Sequence, residues 1–172
     1  RVPASRLADI FLSAGFFSQP DLALPQAPAI TVQELDREKT ILGSNNTTVS
    51  PLQMVLAASS LSSNGIRPAP RITMAVNTPT QGWVILPAGQ KSQAFTPDGV
   101  EFALSLLKEE DSLFWHITTS VPSSDSQIHW FVGGTLPDWQ GTPLALAIAI
   151  EGDTAESTDT LGKNLLNSVM LQ

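Results

Sequence analysis

An α+β fold, built on a mainly antiparallel sheet with flanking helices, is the class this sequence predicts. Three observations carry that expectation. Helical periodicity recurs in four separate stretches, short strand-like runs lie between them without a regular strand–helix alternation, and residues 144–150 form an unbroken apolar run. At 172 residues and 42% apolar content, the chain is long enough and apolar enough for one domain with a real core, so 1–172 reads as a single domain.

Residues 3–15 open the chain as a helix. Leu7, Ile10, Phe11 and Ala14 fall at helical spacing, and Gly15 suits a left-handed cap. Prolines 20, 25 and 28 then impose an extended, irregular connector. The clearest helix starts at Ser50, a good N-cap, with Pro51 at the first helical position, where its missing donor costs nothing. Leu52, Val55, Leu56 and Leu61 mark its expected buried stripe, and Asn64-Gly65 ends it. Two short strands follow, 71–76 and 83–86, joined through Pro79 and Gly82. A third helix spans 97–110, with Val100, Ala103, Leu104 and Leu107 on one face. Strands at 113–119 and 128–132 flank a Pro/Ser/Asp turn. The apolar run 144–150 reads as a central strand covered on both faces, and 155–171 closes the chain as a helix with Leu161, Leu165, Leu166 and Val169 inward.

Composition narrows the partners. The net charge of -7 and pI near 4.6, with nine scattered basic residues, argue against nucleic acid, which needs clustered Lys and Arg. No cysteine is present, which excludes disulfides and thiolate metal sites. No apolar run approaches the roughly 20 residues a membrane helix requires. Because the chain opens at Arg1 without a signal peptide, it is expected to be part of something longer, anchored through a missing N-terminal part.

Two ordered sets of residues carry a resemblance. The first is Val49-Ser50-Pro51-Leu52-Gln53-Met54, followed by Ala57, Leu61, Asn64-Gly65 and Arg67-Pro68, with Gly15-Phe16 upstream. The second is His129-Trp130-Phe131-Val132-Gly133, then Pro137, a strand over 144–151 and a terminal helix. Together they resemble the C-terminal portion, and only that portion, of the penicillin-binding-protein transpeptidase domain, of the serine β-lactamase and D-Ala-D-Ala transpeptidase-like family. The resemblance implies a bacterial, extracytoplasmic role in peptidoglycan synthesis. It also implies a peptidoglycan stem peptide or β-lactam as ligand, with cell-wall proteins as further partners and no cofactor. In that family a serine in Ser-x-x-Lys is acylated, Ser-x-Asn shuttles protons, and Lys-Thr-Gly on a sheet-edge strand binds the carboxylate and supports the oxyanion hole.

The sequence departs from this pattern. Only residues 1–49 precede the Pro-Leu-Gln segment, and none form Ser-x-x-Lys. The strand where the third motif belongs reads Phe114-Trp115-His116-Ile117-Thr118-Thr119-Ser120. That puts His116 at the lysine position, Thr118 at the glycine position and Thr119 at the following hydroxyl. His116 lacks a permanent charge near pH 7, and Thr118 adds a branched side chain where backbone should approach ligand. These three are the degenerate ligand-binding positions, and no catalytic residue is assigned within the chain.

Other matches are weaker. Ser105-Leu106-Leu107-Lys108 fits Ser-x-x-Lys but lies on an amphipathic stretch after the Pro-Leu-Gln helix, where a surface pair is the plain reading. Ser44-Asn45-Asn46 and Ser62-Ser63-Asn64 read as a turn and a helix end. His116 and His129, with Asp111, Asp125 or Glu151, lack any metal-ligand spacing, so no metal is assigned. Trp83, Trp115, Trp130 and Trp139 suit core packing better than a ligand groove, and Glu109-Glu110-Asp111 reads as a solvated helix end.

Three functions follow. The chain is part of a working or divergent transpeptidase, a non-catalytic scaffolding or peptidoglycan-binding relative, or a hydrolase that uses His116 or His129 with a serine. A shallow groove beside strand 116–120 is expected, because the missing half should have formed its other wall.

Overall fold

The computed structural model describes residues 3–22, 39, 48–123, 126–152 and 154–170. Among these residues four helices and seven strands follow in order. They are α1 (Ala4–Ala14), α2 (Pro51–Ser62), β1 (Ile66–Arg67), β2 (Ala75–Thr78), β3 (Gly82–Ile85), β4 (Ser92–Gln93), α3 (Pro97–Leu107), β5 (Phe114–Pro122), β6 (Gln127–Thr135), β7 (Ala145–Gly152) and α4 (Ala155–Met170). The α+β expectation holds, and every strand pair is antiparallel. β1 pairs with β4, β2 with β3, and the main sheet is β5-β6-β7 in that order. The segment holding Pro25, Pro28 and Ser44-Asn45-Asn46 lies outside the described residues, as does Asp125.

The helix ends follow the sequence signals. Gly15 adopts φ 86°, and the N–H groups of Gly15 and Phe16 return to the carbonyls of Leu12 and Phe11. A Cβ at Gly15 would collide with the guanidinium of Arg67, whose Nη1 donates to the Ser13 carbonyl at 3.3 Å. At the start of α2, Ser50 and Gln53 form a reciprocal capping box, with Gln53 N–H to Ser50 Oγ at 3.2 Å and Ser50 N–H to Gln53 Oε1 at 2.9 Å. Gln53 Nε2 then donates to the carbonyls of Phe16 (3.0 Å) and Ser18 (3.1 Å), which fastens the turn after α1 to α2. One glutamine thus caps one helix and holds the exit of another.

Five expectations are corrected. The buried face of α2 is Gln53, Ala57, Ala58, Ser60 and Ser62, while Leu52, Val55, Leu56 and Leu61 are half-buried. Small residues bring the helix close to β6 and β7, and the leucines fill the flanks. On α4 the inward residues are Thr158, Gly162 and Leu166, whereas Leu161, Leu165 and Val169 are 42%, 42% and 50% exposed. A Cβ on Gly162 would strike the Phe131 ring, so α4 rests on the sheet at a bare backbone position that apolar periodicity does not mark. Residues 145–150 of the run lie in β7, which is not central among the described residues: β6 is the middle strand there, and β7 is apolar because α2 and α4 cover its two faces. The first hairpin is shifted to 75–78 and 82–85 because Thr78 Oγ1 accepts from Gln81 N–H at 3.1 Å and tightens the turn. In addition, α3 stops at Leu107, and the chain reverses through Asp111 at φ 59°.

The core has two parts, one on each face of the main sheet. Ala58, Val100, Leu104, Trp115 and Val132 pack between the sheet, α2 and α3, where Trp115 Nε1 donates to Ser62 Oγ at 3.0 Å. Phe114, Phe131 and Leu166 pack beneath α4. Burying the fully enclosed Phe131 and Trp115 contributes on the order of 2–3 kcal/mol each.

Candidate functional site at the β5 edge

β5 is an edge strand: among the described residues β6 lies on one side, and the other side carries a single antiparallel bridge, Lys108 to Trp115, beyond which no strand pairs with it. Side chains alternate along a strand, so adjacent residues of β5 face opposite layers. Trp115, Ile117, Thr119 and Val121 face α1 and α2 together with Ile128, Trp130 and Val132 of β6, and they line a groove of about 790 Å³. Met54 and Leu61 of α2 and Phe11 of α1 wall its other side, and among the described residues no Lys, Arg, Asp or Glu lines it. Ile117 is 46% exposed at its mouth. The expected groove beside strand 116–120 is therefore present, although its far wall is supplied by this chain's own helices.

The opposite face of β5 is covered around His116 and Thr118 and opens at Ser120. His116 lies under α4, stacked on Phe131 with ring centroids 5.5 Å apart and planes 17° from parallel. Its Nε2 sits 3.4 Å from Glu109 Oε1 and 3.6 Å from Asp159 Oδ1. Lys163 Nζ bridges the same two carboxylates, at 3.2 Å and 3.1 Å. Thr118 Oγ1 donates to Asp159 Oδ1 at 2.7 Å. Burial pushes the His116 pKa below its ordinary value, and the Lys163 charge pushes the same way against the two carboxylates. Its Nδ1 is buried and has no hydrogen-bond partner among the described residues. Asp159 is held below the usual carboxylate range first by the Thr118 hydroxyl and also by Lys163, while Asp159 in turn raises Lys163.

Of the three ligand-binding positions read from sequence, His116 and Thr118 thus share a face with α4, and Thr119 lies on the groove. The residues that engage the first two, Glu109, Asp159 and Lys163, were not singled out as site residues. The Asp159–Lys163 spacing of four was legible as a helix ion pair, but its meeting with Glu109 and His116 depends on tertiary packing. The two histidines are engaged separately, since the ring nitrogens of His129 contact Ser120 and the Gly152 carbonyl. Ser105 is exposed on α3 and its Oγ donates to the Phe102 carbonyl at 2.7 Å, so its hydroxyl is engaged within its own helix rather than with Lys108. Trp115 is core, Trp130 lines the groove, and Trp83 is 73% exposed on the β2–β3 hairpin.

No family model matches the sequence, and no curated protein matches it. Solved structures do. Penicillin-binding protein A from M. tuberculosis, solved as an imipenem acyl-enzyme, is 16% identical with a TM-score of 0.82, covering 98% of this chain and 42% of that one. The D,D-transpeptidase domain of a peptidoglycan glycosyltransferase from Eggerthella lenta is 15% identical at TM-score 0.70, covering 94% and 48%. A peptidoglycan synthetase from Bifidobacterium adolescentis is 14% identical at TM-score 0.71, covering 100% and 38%. The chain spans less than half the length of each of these. Topology, edge strand and terminal helix together give this chain the fold of the C-terminal portion of a penicillin-binding-protein transpeptidase domain.

Proposed function

We propose that residues 1–172 form one unit, the C-terminal half of a transpeptidase-like domain that serves bacterial peptidoglycan synthesis on the outer side of the cytoplasmic membrane. One observation carries this reading: the strand bearing His116-Ile117-Thr118-Thr119 is a sheet edge with an apolar groove beside it, in a fold shared with β-lactam-acylated proteins. An edge strand offers backbone donors and acceptors to an extended peptide. A stem peptide or a β-lactam lies along β5 in this account. Thr119 presents its hydroxyl from the groove side, and His116 and Thr118 contribute through the position of the strand. The acylating serine is supplied from outside these residues. Among described helices none is long and apolar enough to cross a membrane, so anchoring is assigned elsewhere too.

A second reading, a non-catalytic scaffolding or peptidoglycan-binding relative, draws on a different observation. The side chains of His116 and Thr118 are committed to Glu109 and Asp159 of this chain, which leaves no cation on β5 for a ligand carboxylate. Labelling with a fluorescent penicillin separates the two, applied to this chain and to the longer protein that the resemblance implies. Label on the longer protein alone, mapped outside these residues, supports the transpeptidase. No label on either, with both folded, supports the scaffold. Label at Ser105 contradicts both.

A further inference from the structure

The face of the sheet beneath α4 holds a second polar arrangement, apart from the groove and from the His116 cluster. Ser120 and His129 are directly paired across β5 and β6. Ser120 Oγ lies 2.7 Å from His129 Nδ1, and His129 Nε2 lies 2.9 Å from the Gly152 carbonyl oxygen. A carbonyl only accepts, so Nε2 carries the proton and donates it there. That fixes the tautomer: Nδ1 is left with its lone pair towards Ser120, whose hydroxyl donates to it. His129 is 2% exposed, whereas Ser120 is exposed. The serine therefore meets solvent while its base is shielded and held in orientation by a third group. This is the nucleophile, base and orienter relation that activates a hydroxyl. α4 begins at Ala155, three residues beyond Gly152, so the amides of a helix start lie at the same end of the sheet.

We propose that Ser120 is an activated nucleophile, a covalent site for electrophilic acyl donors such as activated esters. In the first step the Ser120 proton passes to His129 Nδ1 as Oγ bonds to the acyl carbon. The bond to the leaving alkoxide or phenolate breaks, and that group departs with the proton from His129. Water, deprotonated by the same nitrogen, then releases the acid and restores the serine. The proposal is independent of the transpeptidase reading, which places its acylating serine outside these residues and its ligand along β5 and the groove.

The test is labelling of the chain with a fluorophosphonate, in which Oγ displaces fluoride from phosphorus, followed by peptide mapping. General-base assistance predicts labelling of Ser120 on the order of 100-fold faster than of Ser126, a nearby serine hydrogen-bonded to Glu151 instead of a histidine. S120A abolishes that label. The Ser120 rate rises with pH along one titration, with the midpoint that NMR gives for the His129 ring. This readout keeps the test independent of whether H129Q folds. Label spread evenly over exposed serines, no label at all, or a Ser120 rate that does not follow the His129 titration each overturns the proposal. In those cases Ser120 serves only to satisfy a buried ring nitrogen.

Discussion

The two faces of the main sheet are built from alternating residues of the same strands, yet they differ in nearly every physical respect. Beneath α4, Phe131 is fully enclosed, and His116, Thr118, Asp159, Lys163 and Glu109 form one connected polar cluster. Towards α2, half-buried Trp130 and exposed Ile117 line a groove that has no charged lining among the described residues. The difference shows what a one-residue step along an edge strand decides. His116 and Thr118 are spent on holding a helix to the sheet, and Thr119, their neighbour, is left available. The face beneath α4 therefore carries the tighter packing, and the face towards α2 carries the larger open apolar surface.

The largest expected effect breaks the face beneath α4. Phe131→Ala removes a side chain with 0% exposure and is expected to cost about 3–5 kcal/mol. Trp130→Ala, one residue along on the groove side, is expected to cost less than half of that, because its ring is already half-buried. Urea unfolding of both variants checks the contrast, and equal losses would erase it.

A smaller effect is pH-dependent and belongs to the face beneath α4 alone. His116 has a folded pKa below its ordinary 6.5, so the unfolded chain binds the proton first. Its contribution is complete above about 6.5 and is lost as pH falls towards the lower folded value. H116F removes the unpartnered Nδ1 and is expected to flatten this limb of a stability–pH curve. Asp159, also depressed, gives a second window: its contribution is present above the ordinary 3.8 and is lost below it as the carboxylate is protonated. The H116F variant leaves that lower limb in place. A single transition, or one unchanged in H116F, would show that His116 is not coupled to the fold in this way.

The smallest expected effect is that of Lys163→Met. Lys163 and Asp159 are about a third exposed on their side chains and Glu109 is 62% exposed, so solvent screens the bridge and the loss stays below about 1 kcal/mol. The same change removes a positive charge that disfavours protonated His116, so the His116 pKa should rise, as NMR titration of its ring would show.

Much of the fold was legible because its signals are local. Gly15, Ser50 and Pro51 mark helix ends by chemistry that acts within five residues, and the structure places the caps there. The strands near 113–119, 128–132 and 144–150 and the terminal helix were legible from their apolar patterns, and the resemblance gives them in the same order along the chain. What was not legible depended on close approach between elements. Ala57, Ala58 and Gly162 let helices sit tightly on the sheet, a role that apolar periodicity assigns to larger residues instead. The edge position of β7 was hidden because a strand covered on both faces reads alike at the centre or the rim of a sheet. At the candidate site, the strand read from sequence over 113–119 corresponds to β5, which carries the three proposed positions 116, 118 and 119. Which of them face α4 depends on register, and the partners of His116 come from 7 residues upstream and 43 downstream.

The division between the two faces can be measured directly because the chain has no cysteine. Single cysteines introduced at 116, 117, 118 and 119 would be followed for their rate of reaction with a maleimide in the folded protein. The alternation of β5 predicts fast reaction at 117 and 119, on the groove, and slow reaction at 116 and 118, beneath α4. Uniform rates along the strand, or faster reaction at 116 and 118, would contradict the division on which this account rests.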